Sequence, residues 1–467
     1  MLLSTRDQKL LYKIILAACI KKMKIKFIEV RKIIFFKNFN LPKLNFLYFV
    51  TKIIITGELF SKNRYKINFR GVNIGRYALS ATYRNPASYV SKIKFYYLFF
   101  KNLIFTGRLL RAAEKYAEYK ITSIYIDHCF NINGVLFEFF GMKKFLIFTN
   151  NYPKSIIGVN FRKYKKKLGI ENYIKLKKKK INFTQKKKSE KALDELVKNP
   201  KKIPWMFKTK FNKISKNEKY ENIDYIVYTH SFLDAQLIFG NDGFENTFDW
   251  LDTTLKYLKY QNKKTIIKCH PNFYNKAFKK ISAEDKKIFE IIYNKYKKTN
   301  NFIFIKESVL NIDLLNRINN KNFIAISHHG SVILELAYLN IKTICSIANF
   351  FNEDFKISNT WNDPKKYINL LNKNWNDLEF PNKEDVLSLG YQLLLSDHNF
   401  YGKKSFHAIF AKILNKKISD LRSKGGIFAP HTFSGNDKKN DMKFNSLISK
   451  KNQVKISNEL ANNIDIC

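Results

Sequence analysis

The sequence predicts an α/β protein of two halves with a cleft between them, and three observations predict it. Short β-branched runs alternate with helical stretches, which is the rhythm of βαβ units and a parallel sheet. A lysine-dense block interrupts that alternation once, after which it restarts. The polar residues able to do chemistry fall at the carboxyl ends of the predicted strands, where two such halves place their ligands. The chain has 467 residues, of which 45% are hydrophobic and 15% aromatic. That allows two or three domains at about 150 residues each and is too apolar for a disordered chain. A single small binding module is excluded. So is a disulfide scaffold, because Cys19, Cys129, Cys269, Cys345 and Cys467 are odd in number and far apart. They fit a reducing compartment and not a cysteine zinc site.

The charge balance is strongly basic, with 85 Lys+Arg against 38 Asp+Glu and a formal net charge of +47. Nearly all of the basic residues are Lys, and the chain is also crowded with Asn, Ile, Phe and Tyr. Codons rich in A and T specify all of these, so genome composition accounts for the excess as well as a polyanion partner does. Affinity for nucleic acid or for an anionic membrane face is the functional alternative. Charge alone does not decide between them.

The first half spans residues 1–161. Loop signals stand at Thr56-Gly57 and Arg84-Asn85-Pro86. Lys92–Arg111 interleaves lysines and arginines with aromatic and aliphatic residues, as an interfacial helix would. It reads better as a core helix whose lysines reach out to water. Ala112–Tyr119 is helical, Ile121–Ile126 is a strand ending at Asp127-His128, Val135–Phe140 is a helix, and Phe145–Thr149 is a further strand. No run of about 18 apolar residues occurs, so no transmembrane helix is predicted. Leu10–Ile20 is apolar but broken by Lys13, and no small-residue cleavage site follows it, so no secretory leader is predicted.

Residues 162–222 form a basic linker, a helical or loose connection between the halves, with 14 basic and two acidic residues between Arg162 and Lys191. Pro200 and Pro204 punctuate its end. The second half spans 223–415. Its predicted strands are Asp224–Thr229, Lys264–Lys268, Asn301–Lys306, Phe323–Ser327 and Thr343–Ile347. Its predicted helices are Phe248–Tyr257, Ser282–Lys297 with Ser282 as N-cap, Asp313–Ile318 and Val332–Leu339. Residues 416–467 are polar and rich in Lys, Asn and Ser, and a disordered tail is expected there.

The strongest chemical element is Phe323–Leu339. A strand runs into His328-His329-Gly330-Ser331 and a helix begins at once. Gly330 lets the backbone approach a ligand, Ser331 is suited to cap the helix, and the helix start favours phosphate. His328 and His329 are potential donors to phosphate oxygens, and Glu335, one turn along, can reach a ribose hydroxyl. The plain alternative is a capped strand–turn–helix with Glu335 facing solvent. In Thr265–Pro271 a strand delivers His270, and Pro271 fixes the turn, so His270 either can stabilise a leaving phosphate or only belongs to a turn. In Thr229–Asp242 the residues His230, Ser231, Asp234, Gly240 and Asp242 either line the cleft or only cap the next helix. Asp127 is a candidate general base or a turn residue bonding its own backbone. Arg76 and Arg84, near Gly71 and Gly75, are candidate anion contacts. P-loop, dinucleotide, nucleophile-elbow, zinc-protease and nucleic-acid motifs are missing.

The stretch from Tyr228 to about Phe350 resembles bacterial capsule and surface-polysaccharide biosynthesis proteins. The residues that carry the resemblance are His230-Ser231-Phe232-Leu233-Asp234, Trp250-Leu251, Lys268-Cys269-His270-Pro271, and His329-Gly330-Ser331 with Glu335. The His-Pro and Ser/Thr elements are also similar to those of bacterial sialyl-, polysialyl- and Kdo-transferases and of CDP-glycerol glycerophosphotransferases. The match covers about a quarter of the chain, and Cys269 departs from the family's proline or other small residue. The resemblance implies two Rossmann-like domains facing a cleft, the GT-B arrangement. It implies a metal-independent glycosyltransferase with no cofactor and with a CMP- or UDP-linked nucleotide-sugar as substrate. The donor domain would be 223–415 and the acceptor domain 1–161. His270, Ser331 and His329 would hold the donor phosphates, Glu335 the ribose, and Asp127 would be the base. The acceptor would be a glycan or a lipid-linked glycan at the cytoplasmic face of the membrane, with basic segments on anionic lipid and no specific nucleic acid. The alternatives are a nucleotide-sugar epimerase or hydrolase of the same fold, or a non-enzymatic polyanion-binding protein.

Overall fold

The computed structural model describes residues 2–3, 44–117, 123–127, 129, 132–151, 154–161, 170–199, 211–212, 214, 219–234, 236–271, 273, 279–396, 406–415, 449–462 and 465–466. It falls into two compact units, Met1–Ile174 with Asp397–Cys467, and Lys175–Ser396. The apolar 10–20 segment, His128, the start of the basic block, Pro200, Pro204 and residues 416–448 lie outside the described residues.

In the first unit the strands are β1 (Leu2–Leu3), β2 (Asn68–Phe69), β3 (Val72–Asn73), β4 (Ser123–Asp127), β5 (Leu146–Asn151) and β6 (Lys154–Asn160). The expected βαβ unit is present: β4, the helix Gly134–Met142 and β5, with β4 and β5 parallel. That helix is apolar except for Glu138, which accepts from the Asn73 N–H and from Tyr77 Oη, and Gly134 through Gly141 are buried, as befits an element covered all round. The sheet is mixed rather than purely parallel, because β6 turns back antiparallel to β5. The strand Asp465–Ile466 then pairs parallel to β6.

The helix Lys92–Ala117 buries Phe95, Phe99, Leu103, Leu110 and Ala113 and exposes Ile93, Lys94, Tyr97 and Lys101. The core reading therefore holds. No described helix is long and apolar enough to cross a membrane. The Gly71–Gly75 pair has a structural role. Arg70 and Gly71 both have positive φ (51° and 79°) and close the β2–β3 hairpin, where the strand twist demands left-handed residues.

The second unit has β7 (Tyr225–Tyr228), β8 (Thr265–Lys268), β9 (Phe302–Ile305), β10 (Ile324–Ser327), β11 (Thr343–Ser346) and β12 (Asn359–Trp361). All six pair in parallel, in the order β12-β11-β10-β7-β8-β9. Counted from β7, this is the doubly wound Rossmann order, which reverses between β7 and β10. Every residue of β7, β8, β10 and β11 is buried, as strands covered by helices on both faces must be. Each predicted element of this half is found within three residues at either end, including the helices Thr247–Tyr260, Lys279–Tyr296, Asn311–Leu315 and Val332–Tyr338. Ser282 is not a cap, since its helix begins at Lys279.

Two boundaries differ from expectation. The basic segment is not simply a linker, for Phe183–Lys198 is a helix of the second unit. A capping box of Asn182 and Gln185 starts it, with both bonds 2.9 Å long. Ser189, Leu193, Leu196 and Val197 form its buried stripe beneath the lysines. Ser189 Oγ donates to the carbonyl of Leu387 at 2.7 Å, in the helix Lys383–Leu394. The expected tail contributes an ordered helix, Lys450–Asn462, which buries Ile456, Leu460 and Ala461. In both places an i, i+3/i+4 apolar stripe lies hidden in lysine-rich sequence.

Leu193→Ala should therefore destabilise the second unit by about 2–5 kcal/mol, while Lys188→Ala on the exposed face should change it by less than about 0.5 kcal/mol. Denaturant unfolding of the two variants measures the contrast, and equal effects would make the segment a linker after all.

Candidate functional site

Sheet register places Ser327 of β10 beside Tyr228 of β7, and Tyr228 beside Lys268 of β8. Two residues beyond each stand His329, His230 and His270. Side chains two apart along an extended strand share a face, so the three neighbouring strands deliver their imidazoles together. The rings of His230 and His329 are 3.7 Å apart between centroids, and those of His230 and His270 are 5.6 Å apart. Thr229 Oγ1 ties two of the strand ends together, accepting from the His270 N–H at 2.7 Å and donating to the Lys268 carbonyl at 3.2 Å. Gly330 has φ +129°, and a Cβ there would lie 3.3 Å from Cδ2 of His230. The glycine thus supplies both the backbone conformation and the room for His230.

Burial works against a positive charge on each of these three rings. Burial pushes His270 down to about 3, helped by His230 and Lys268. Burial likewise holds His329 well below the ordinary histidine range, reinforced by His230, His328 and His270. His230 is lowered by burial, against the opposing pull of Asp234 and its own contact with the Ser231 carbonyl at 3.1 Å. These neutral rings can still donate or accept hydrogen bonds.

His328 turns away from the stack towards Asp242, with Nε2 3.0 Å from Oδ2, while its Nδ1 lies 2.6 Å from Nδ1 of His329. Asp242 also accepts from Ser346 Oγ and from the Phe244 N–H. Burial pushes this carboxyl up, but His328, Ser346 and Phe244 outweigh it and hold it below the usual carboxylate range. A small pocket opens here, lined by Gln236, Ile238, Gly240, Asp242, His328 and His329 among others.

A second polar layer lies beneath. Lys268, on the same face of β8 as His270, donates from Nζ to Asn311 Oδ1 at 2.7 Å, and Asn311 Nδ2 donates to Glu335 Oε2 at 2.7 Å. Burial lowers the Lys268 ammonium and raises the Glu335 carboxyl, each partly offset by attraction to the other. Glu335 is only 4% exposed, so it faces inward rather than towards solvent. Its Oε1 is buried without a hydrogen-bond partner. Ser331 occupies the N-cap position of Val332–Tyr338 in αR geometry without a side-chain capping bond. The expected cap is therefore absent because the backbone already turns helical at Ser331, which leaves its hydroxyl out of the helix start.

Asp234 is exposed on the turn after His230 and acts on His230 and His270 through its charge. The turn is held by a residue that the sequence reading missed. Asp285, buried on Lys279–Tyr296, accepts from Ser231 Oγ at 2.5 Å and from the Leu233 N–H at 3.0 Å. A signal was available, since Asp285 falls on the i, i+4 stripe of Ile281, Phe289 and Ile292. Asn311 carried no such signal.

The remaining candidates belong to the first unit. Asp127 is the last residue of β4, paired in register with Asn150. Arg76 is engaged by Glu171 at 2.7 Å, in a largely buried ion pair. Arg84 is the C-cap of the helix Ile74–Tyr83. Among the described residues no three His, Cys, Asp or Glu side chains are arranged to hold a metal ion.

Neither a family model nor a curated protein matches this chain. Among solved structures, KpsC of Thermosulfurimonas dismutans, a beta Kdo 2,4 transferase, is similar with a TM-score of 0.34 and 9% identity, covering 59% of this chain and 80% of that one. A Methanocaldococcus jannaschii UDP-GlcNAc 2-epimerase in complex with UDP-GlcNAc and UDP is similar with a TM-score of 0.27 and 11% identity, covering 68% of this chain and 96% of that one. The fold class rests on the strand order and strand directions described above.

Asp285 yields a pH prediction. Burial, opposed by its bonds to Ser231 and Leu233, pushes its carboxyl from 3.8 up to about 7. The folded state then holds a proton that the unfolded chain has released. Stability is therefore greatest below about pH 4 as far as this group is concerned, and is lost as pH rises from there to about 7, by on the order of 4 kcal/mol. Asp285→Asn should flatten that slope between pH 5 and 7.5 in denaturant titrations. An unchanged slope would place the titrating group elsewhere.

Proposed function

We propose that this chain is a glycosyltransferase that takes its sugar from a CMP- or UDP-linked donor and binds the donor's phosphates at the histidine cluster of the second unit. One observation carries the reading. His230 and His329 meet at the point where the strand order reverses, between β7 and β10, and open α/β sheets bind ligands outside the strand ends at that point. His270 extends the cluster along the next strand, and Ser331, two residues after His329, is proposed to supply a further hydroxyl donor. The capsule and surface-polysaccharide motifs that this sequence resembles converge on the same edge, which supports the substrate class.

In the proposed reaction an acceptor hydroxyl attacks the anomeric carbon of the donor. The new C–O bond forms as the bond from that carbon to the phosphate oxygen breaks, and the hydroxyl proton passes to a carboxylate. Hydrogen bonds from His270, His329 and Ser331 stabilise the negative charge on the departing phosphate, in a site where burial strengthens them. Asp127, at the carboxyl end of β4, is the carboxylate proposed to take the proton. The acceptor is proposed to be a glycan or lipid-linked glycan in surface-polysaccharide synthesis at the cytoplasmic face of the membrane.

A thermal-shift screen with CMP, CDP, UDP and GDP tests the donor site. One of these nucleotides at a hundredfold excess over its Kd should stabilise the protein by about 2.7 kcal/mol. Ser331→Ala and His270→Ala should each raise Kd at least tenfold, which at the same nucleotide concentration cuts the stabilisation to about 1.4 kcal/mol or less. If no nucleotide shifts the wild-type transition, the donor reading fails. A nucleotide-sugar turned over without any acceptor would convert it to an epimerase or hydrolase.

A further inference from the structure

We propose that Asp242, acting through His328, sets the proton on His329, so that a phosphate group binds this site together with one proton taken up from solvent. The inference rests on the phosphate-site half of the function proposed above and adds a positioning residue and a proton count to it.

The 2.6 Å contact between His328 Nδ1 and His329 Nδ1 has room for one hydrogen, which only one of the two rings can supply. The ionised Asp242 requires a hydrogen on His328 Nε2, 3.0 Å from its Oδ2. We take the empty site as the state in which His328 carries only that hydrogen, so that its Nδ1 is bare and His329 fills the contact with its own Nδ1–H. That leaves His329 Nε2 bare. A bare nitrogen facing a phosphate oxygen sets one lone pair against another.

For His329 to donate from Nε2, the contact must reverse. His328 then supplies the hydrogen at Nδ1, keeps the one at Nε2, and becomes an imidazolium held against Asp242. His329 remains neutral throughout, in keeping with its burial among His230, His270 and His328. The added charge sits one ring back from the phosphate, against a carboxylate that is 3% exposed and fixed by Ser346.

The titratable groups facing this pair are few. Asp242 faces it from the loop before Thr247–Tyr260, His230 from the end of β7, and His270 from the end of β8. Tyr367 of Pro364–Leu371 lies close enough to Asp242 to feel its charge. Asp234 and Lys268 act at one remove, on His230 and His270. Trp250 and Trp361 supply apolar walls around His328, with ring centroids 5.3 and 6.0 Å away. Asp242 is therefore the counter-charge against which a proton on His328 can be stabilised.

The test is calorimetric titration of the full chain with inorganic pyrophosphate, in buffers of different ionisation enthalpy between pH 7 and 8. The wild type should take up about one proton per pyrophosphate bound, and its affinity should rise about tenfold per unit fall in pH. Asp242→Asn keeps an acceptor for His328 Nε2 but removes the charge, so proton uptake and pH dependence should both fall towards zero. Ser346→Ala, a milder change, should lower uptake partially if the Asn variant does not fold. Zero uptake by the wild type, or no binding of pyrophosphate, overturns the proposal. Uptake of one proton with pyrophosphate while no nucleotide binds would keep the relay and remove the transferase reading. Nucleotide binding without proton uptake would do the reverse.

Discussion

Ser327, Tyr228 and Lys268 lie side by side across three parallel strands, and a histidine follows each of them two residues later. The geometry of the site descends from that register. A slip of one residue in either pairing would send a histidine to the other face of the sheet. The register is secured by packing, because the side chains are buried on both faces and a slip would set each of them into a space shaped for another. It is also locked at the edge by Thr229, which bridges the ends of β7 and β8. Four of the chain's eight histidines thus come together with no metal-ligand spacing in the sequence.

Burial then decides what these rings can do. A group of exposed histidines would titrate near neutrality and meet anions as cations. Here crowding and desolvation keep His230, His270 and His329 neutral, so they act through directed hydrogen bonds. Charge is kept in the layers behind them. Asp242 stands on one side, and Lys268 and Glu335 are bridged by Asn311 beneath. The site is a set of neutral donors backed by charges it can borrow.

The second unit was largely legible in the sequence because its strands are short, β-branched and bounded by polar residues, and each ends in a residue unusual for a core. His230, His270 and His329 could be named, as could the helix after Gly330-Ser331. The contacts that organise them could not. Asp242 and His328 meet across the loop between β7 and its following helix, and Asp285 reaches back over more than fifty residues to Ser231. Sequence spacing carries no trace of such pairings, which depend on how helices settle on the sheet. Composition misled at two places, Phe183–Lys198 and Lys450–Asn462. There the lysines dominate the count while a few apolar residues at helical spacing dominate the packing. In the first unit the βαβ rhythm of β4 and β5 was legible, whereas the strand Lys154–Asn160, which returns antiparallel to β5, was not anticipated.

The division of the chain adds an ordering in time. The first unit is built from residues before Lys175 and again from Asp397 onwards, while the second is one uninterrupted stretch. On a ribosome, which releases the chain from its amino end, the second unit is complete before the strand Asp465–Ile466 and the helix Lys450–Asn462 have emerged. The segment made first therefore waits for the last to close its sheet edge. Until then β6 lacks the neighbour that it has in the finished protein, and its open edge is a site for pairing with other chains. The nascent chain thus presents a completed histidine cluster while the sheet edge at β6 is still open.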